Sequence, residues 1–214
     1  MLNAVFYPYR LLKIAYNVFG SIGHLPLVTE LEPHFEKYRT VQASSRDATS
    51  LDLGCGISPK NPFRAKRTSG VDVREGLADN IRRADLTVEG IPFDDESFDF
   101  VTAFDLLEHV PRIVYLPARR LPFIELMNEV WRVLRVGGIF CSHTPVFPFA
   151  PAFQDPTHVN ILTHQTFPLY FDDKRRWGST YGFRGSFEVL EQLVRPPHLI
   201  SFLRKTTPPK SAGE

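Results

Sequence analysis

Cysteine is scarce in this 214-residue chain: only Cys55 and Cys141 occur, and neither has a neighbour at metal-ligand spacing. A disulfide scaffold and a zinc finger are therefore excluded, and reduced thiols in a cytoplasmic setting are expected. Excess charge of either sign is also missing, with 25 Lys and Arg against 24 Asp and Glu. Recognition of nucleic acid through its phosphates needs a concentrated basic face, so no nucleic-acid partner is expected, and the loose set Lys60, Arg64, Lys66, Arg67 reads as a solvated loop. No apolar run approaches the roughly 20 residues of a membrane-spanning helix. Acids are absent from residues 1–29, which carry Arg10, Lys13 and five aromatics. No small-residue cleavage site follows, so a signal peptide is not expected. Two readings stay open for that segment: a helix lying on a membrane surface, with its bases at the polar edge, and a helix that packs over the domain or closes its ligand site, which is preferred.

The remaining composition, 43% hydrophobic and 23% charged, suits one globular domain with a full core. Thr29 and Glu32 have the capping-box form and open a helix over 30–42, in which Pro33 falls in the first turn. After the polar connector 43–50, the segments 51–53, 69–74, 81–87, 98–104 and 139–144 read as buried strands. Between the last two, residues 122–138 form the clearest helix, with Ile124, Met127, Val130, Trp131 and Leu134 on one face and Gly137-Gly138 as its left-handed stop. Alternating strands and helices predict an α/β, Rossmann-like, mostly parallel sheet. Residues 187–194 and 198–205 read as a closing antiparallel pair. The expected organisation is a helical segment at 1–46, a main domain at 47–206 with a proline- and aromatic-rich insert at 145–176, and a loose tail at 207–214.

"LDLGCGISPK" (51–60) places Gly54 and Gly56 just after the first strand, where doubly wound sheets hold their ligands. A phosphate loop would need Gly-Lys-Ser/Thr beginning where Pro59 stands, and a dinucleotide fingerprint needs a third glycine at the same position. Proline also lacks the amide hydrogen a pyrophosphate would use. Asp52, Asp72, Asp85 and Asp105 lie at or near the ends of the strands. Acids there repel phosphate but suit an ammonium, a sulfonium and ribose hydroxyls. A phosphate-free nucleoside is the ligand that remains.

"LDLGCG", "GVDV", "ADL", "IPFDDESFDFVTAFDLLEHV" and "EVWRVLRVGGIF", in this order and spacing over about 48–145, resemble the class I S-adenosylmethionine-dependent methyltransferases, type 11 small-molecule branch. The resemblance implies a seven-stranded sheet with its last strand antiparallel, and S-adenosylmethionine as cofactor. It places the backbone of Gly54, Cys55 and Gly56 by the methionine part with Asp52 near its amino group. Asp72 and Val73 would then hold the ribose, Asp85 and Leu86 the adenine, and Phe104 with Asp105 the methionyl side. The chain departs from the family at 74–83, "REGLADNIRR", where a full helix is usual. That departure leaves the adenine side more open.

Methyl transfer to a hydroxyl needs a base, and the acceptor is expected to be a small, apolar molecule methylated on oxygen. His143, His158 and His109 are the candidate catalytic residues, with Glu108 and Asp155 beside them. A metal set of His143, Asp155, His158 and His164 is too dispersed to be expected. The acceptor would lie under 145–176, against Phe147, Phe149, Phe153, Phe167, Tyr170 and Phe171, although such aromatics equally build a core.

Overall fold

In the computed structural model, which describes residues 8, 10–16, 20, 22–42, 47–75, 78–115 and 117–207, seven strands form one sheet. They are β1 (Thr49–Leu53), β2 (Arg67–Asp72), β3 (Ile81–Arg83), β4 (Phe98–Phe104), β7 (Leu134–Pro145), β8 (Phe187–Arg195) and β9 (His198–Lys205). Their order is β3-β2-β1-β4-β7-β9-β8. The first five run parallel, and β9 is antiparallel to both of its neighbours, as the sequence leads one to expect. A two-stranded hairpin, β5 (Val114–Tyr115) with β6 (Arg119–Arg120), lies on the way from β4 to β7.

The expected alternation of strand and helix is only partly realised. Among the described residues, the connections β1 to β2, β2 to β3 and β3 to β4 are loops. Pro59 and Pro62 deny the first of these a continuous helix, and the second lacks an apolar stripe to dock one. Helix α1 (Glu32–Gln42) covers that face instead. Its Phe35 and Tyr38 pack on Phe202, and the loop residue Phe63 stacks on Phe100 at 4.3 Å between ring centroids. The helix opens at Glu32, not at Glu30, because the chain before it pairs with β8: Val28 N–H donates to Val194 O at 3.0 Å, and Val194 N–H to Pro26 O at 2.9 Å.

Helix α2 (Pro122–Val133) covers the opposite face with Phe123, Leu126, Met127, Val130 and Val133 buried. It stops before the expected end at 138. Leu134 is already extended, and its carbonyl, turned away from the helix axis, accepts from Lys205 Nζ at 2.7 Å. Gly137 does take the left-handed conformation, with φ 82°, but within the irregular entry to β7. Two short helices, α3 (Pro151–Gln154) and α4 (Thr166–Tyr170), follow β7. Near the amino terminus, residues 10–16 are helical and every one is exposed, so this helix does not pack into the domain as preferred above; much of 1–21 lies outside the described residues. No helix among the described residues is long and apolar enough to cross a membrane.

Candidate active site

At the carboxyl end of β1 the chain turns through Gly54 (φ 66°) and Gly56 (φ 63°), a left-handed conformation that glycine adopts without steric cost. Space matters as well, since a Cβ on Gly54 would lie 2.9 Å from Leu106 Cδ1. The amides of Gly54 and Cys55 both donate to Val71 O, at 2.8 and 3.2 Å, which ties the turn to the end of β2. Asp72, 7% exposed, accepts from Gly56 N–H at 2.7 Å and from Arg74 N–H at 3.1 Å. Its carboxylate is therefore held in one orientation, with lone pairs left for a ligand's hydroxyls. A cleft of about 190 Å³ opens here, between the ends of β1, β2 and β4, and Gly54, Asp72, Val73, Asp85, Leu86 and His109 are among its walls.

Three sequence-predicted residues fall elsewhere. Asp52 is buried beneath the turn: it accepts from Lys60 N–H at 2.8 Å and Thr102 Oγ1 at 2.6 Å, so it braces the loop and does not line the cleft. Burial pushes its carboxyl above the usual range against these two bonds. Cys55 turns its sulfur back onto β2, where a Cβ on Gly70 would meet Sγ at 2.4 Å, and burial, aided by Asp52 and Asp72, pushes its thiol up to about 11. The Phe104 ring lies under Lys60 Nζ at 4.6 Å and against His143 at 5.5 Å, on the far side of β4's end. Asp85 does line the cleft, two residues beyond β3, and its Oδ1 accepts from Thr87 N–H at 2.9 Å.

Asp105, the residue after β4, adopts φ 52°, uncommon for a side chain with a Cβ. The turn aims its carboxylate at β7 and β9. Its Oδ1 lies 3.2 Å from His143 Nδ1 and 3.1 Å from His198 Nε2, and the two imidazoles stack at 4.1 Å. Burial raises the Asp105 carboxyl, but the hydrogen bonds from His143 and His198 outweigh it and hold the group well below the ordinary carboxylate range. The structure thus places Asp105, expected on the methionyl side, in an imidazole cluster. His198 escaped the sequence reading because it opens a strand 55 positions from His143 in the chain; only the antiparallel pairing of β7 with β9, Pro145 opposite His198, brings them together.

A second cluster lies one turn further on. Glu108 and His109 occupy a short 3-10 helix (Leu107–His109), and Val159 N–H and Asn160 N–H both donate to Glu108 O at 2.9 Å, docking the "DPTH" turn on it. The His109 and His158 rings meet edge to face at 4.8 Å. Glu108, 1% exposed, accepts from Thr144 Oγ1 at 2.8 Å through Oε2, while burial pushes its carboxyl above the usual range. His143 and His158 therefore enter different clusters, and the dispersed set considered from sequence does not assemble: His164 packs against His24 at 5.2 Å. Of the aromatics in the insert, Phe167 and Phe171 are fully buried core and Phe153 is 54% exposed. Tyr170 and Phe171 do line an apolar pocket of about 240 Å³ with Ile113, Phe123, Ile124 and Tyr181.

A parallel sheet with a nucleoside-sized, acid-edged cleft at its carboxyl ends defines a Rossmann-like nucleoside-binding domain. A family model described as "Methyltransferase domain" matches residues 51–142. The chain is 32% identical over 105 residues to a ubiquinone/menaquinone biosynthesis C-methyltransferase of Brucella anthropi, covering 48% of this chain and 34% of that protein. It is 29% identical to squalene methyltransferase 2 of Botryococcus braunii, covering 64% and 39%, and 24% identical to a sterol 24-C-methyltransferase of Pneumocystis carinii, covering 59% and 36%. This chain thus spans less than two fifths of the length of these relatives. Among solved structures, a SAM-dependent methyltransferase from Archaeoglobus fulgidus superposes with TM-score 0.51 at 15% identity, covering 82% of this chain and 93% of that one, which speaks for the fold. Residues 51–142 thus match a methyltransferase domain, and these likenesses together support the class I S-adenosylmethionine-dependent methyltransferase family, which implies S-adenosylmethionine as cofactor.

Proposed function

We propose that this chain transfers the methyl group of S-adenosylmethionine to a carbon of a small, apolar acceptor. The observation that carries the reading is the cleft itself. Gly56 N–H, the amide a pyrophosphate would seek, is already committed to Asp72, and Pro59 offers none. Acids and apolar side chains therefore face the ligand, and these fit a cationic nucleoside without phosphates. Asp72 would hold the ribose hydroxyls, Asp85 and Leu86 the adenine, and the backbone at Gly54 and Gly56 the methionine part. The bound cofactor supplies an electrophilic methyl on a sulfonium.

His143 is the residue we assign to the acceptor's proton. Donation of Nδ1–H to Asp105 leaves Nε2 with a free lone pair, and Asp105, kept ionised by its two imidazole partners, stabilises the imidazolium that forms. The sequence reading expects oxygen as acceptor. Carbon is preferred because two of the relatives are named as C-methyltransferases, and quinone biosynthesis, a sterol and squalene all point to apolar acceptors. The exposed Leu11, Leu12, Ile14 and Tyr16 of the helix at 10–16 support, in the same proposal, contact with the lipid surface where such acceptors dissolve. Flotation with liposomes should recover the full chain and lose the chain without residues 1–29.

Titration calorimetry with S-adenosylmethionine and S-adenosylhomocysteine tests the cofactor assignment; a wild type that binds neither would overturn it. Incubation with the methyl-13C cofactor and a panel of a quinol, a sterol and squalene, read by carbon NMR, tests the acceptor. A new carbon-bound methyl is expected, and an O-methyl product would refute carbon while keeping the transfer.

A further inference from the structure

We propose that Glu108, His109 and His158 form a binding site for a divalent transition-metal ion of the zinc or iron(II) type. One ligand atom from each of the three lies within 4.8 Å of the other two. Two of the three side chains carry a buried polar atom with no hydrogen-bond partner, Glu108 Oε1 and His158 Nδ1. Each such atom costs the desolvation of a polar group without return, and the two make no hydrogen bond to each other; with the His158 proton on Nε2, the side that faces Asp155, both are acceptors. A cation between them satisfies both.

The third ligand is prepared by its neighbours. Thr157 Oγ1 lies 2.6 Å from Asp155 Oδ1 and 3.0 Å from His109 Nδ1. The Asp155 carboxylate only accepts, so it takes the hydroxyl proton. Thr157 Oγ1 must then accept from His109 Nδ1–H, which fixes the tautomer and leaves Nε2 with its lone pair. An imidazole that donates its other nitrogen to an orienting oxygen is the arrangement found around bound metals. The same Asp155 carboxylate stands 4.0 Å from His158 Nε2, on the opposite side of that ring from the orphaned Nδ1.

The site is built on fixed backbone, since the turn that carries His158 is pinned to Glu108 O by two amides and by Asn160 Nδ2, which donates to Leu107 O at 2.9 Å. Two imidazoles and one carboxylate are a donor set suited to zinc or iron(II), and three protein ligands leave a coordination position open. His109 also lines the cofactor cleft, so that open position belongs beside the cleft. Neither spacing in the sequence nor a short motif marks the set, because Glu108 and His158 are 50 residues apart.

The test uses the full chain, stripped with a chelator, in the absence of cofactor and acceptor, so that its outcome is independent of the methyl-transfer reading. Calorimetric titration with zinc chloride should show one ion bound per chain, and cobalt(II) should give visible absorption bands of a low-coordinate nitrogen and oxygen site. His158→Ala and Glu108→Gln should abolish both signals with unchanged circular dichroism, and Thr157→Val should weaken binding by about 10–100-fold through loss of the orienting bond. His198→Ala should bind as the wild type does. Where His158→Ala fails to fold, His158→Gln takes its place. Absence of saturable binding, binding that survives both ligand substitutions, or binding lost in His198→Ala would each overturn the proposal.

Discussion

Two imidazole–carboxylate clusters stand side by side at the carboxyl edge of the sheet, linked through the dipeptide His143-Thr144, and the same residue types meet opposite conditions in them. In Asp105–His143–His198 the carboxylate side chain is 50% exposed, and one oxygen serves both rings. Water can reach whatever lone pairs remain. In Glu108–His109–His158 the carboxylate is 1% exposed, and two buried polar atoms are left without a hydrogen-bond partner. The first cluster is equipped to take up a proton and release it to solvent. The second has a deficit of positive charge that solvent cannot make good. Composition does not distinguish a base from a cation site; access of water does.

The largest expected effect would come from removing the base. His143→Ala should lower the transfer rate by about 10²–10⁴-fold with cofactor affinity unchanged by calorimetry. An unchanged rate would mean that the exposed cluster is structural, and the contrast with its neighbour would lose its functional content. Next is Asp72→Ala, which removes a charged acceptor from the cleft but touches neither cluster. Cofactor binding should weaken by about 10–100-fold, the loss of one charge-assisted hydrogen bond worth about 1.5–3 kcal/mol, and zinc titration should be unaffected.

A smaller effect follows from Asp105→Asn. The folded protein holds this carboxyl below its unfolded value of about 3.9, so its hydrogen bonds from the two imidazoles contribute fully above that value and their contribution fades as pH falls through the folded pKa. Because the group is half exposed, no more than about 1 kcal/mol is at stake. Urea midpoints should therefore differ between wild type and variant near neutrality and converge in acid. The smallest effect concerns the glycine turn between the cleft and the sheet. With its thiol pushed up to about 11, Cys55 should react with iodoacetamide at neutral pH more slowly than free cysteine, as measured by mass spectrometry. Fast labelling would mean that the sulfur faces the cleft.

Strand β4 at 98–104, the glycine turn, the lack of a helix among the described residues between β2 and β3, and the antiparallel pair β8/β9 were legible because each is written in local terms: apolar runs, positions needing φ above zero, missing periodicity, turn residues. Asp72 followed from its distance to the turn, while Val73, Asp85 and Leu86 followed from the family resemblance. Less was legible wherever a residue's partner lies far along the chain. The end of α2 depended on Lys205, the burial of Asp52 on Thr102, and the face taken by Phe104 on Lys60 and His143.

By itself, then, the sequence determined a doubly wound sheet and a nucleoside turn closed to phosphates, since glycine conformation, the missing amide of Pro59 and strand patterning act within a few residues. The tertiary structure alone decided which histidines meet which carboxylates. Apart from the adjacent Glu108 and His109, those contacts join positions 38 to 93 residues apart, and they depend on strand order and on how much water reaches each group, neither of which a local pattern encodes.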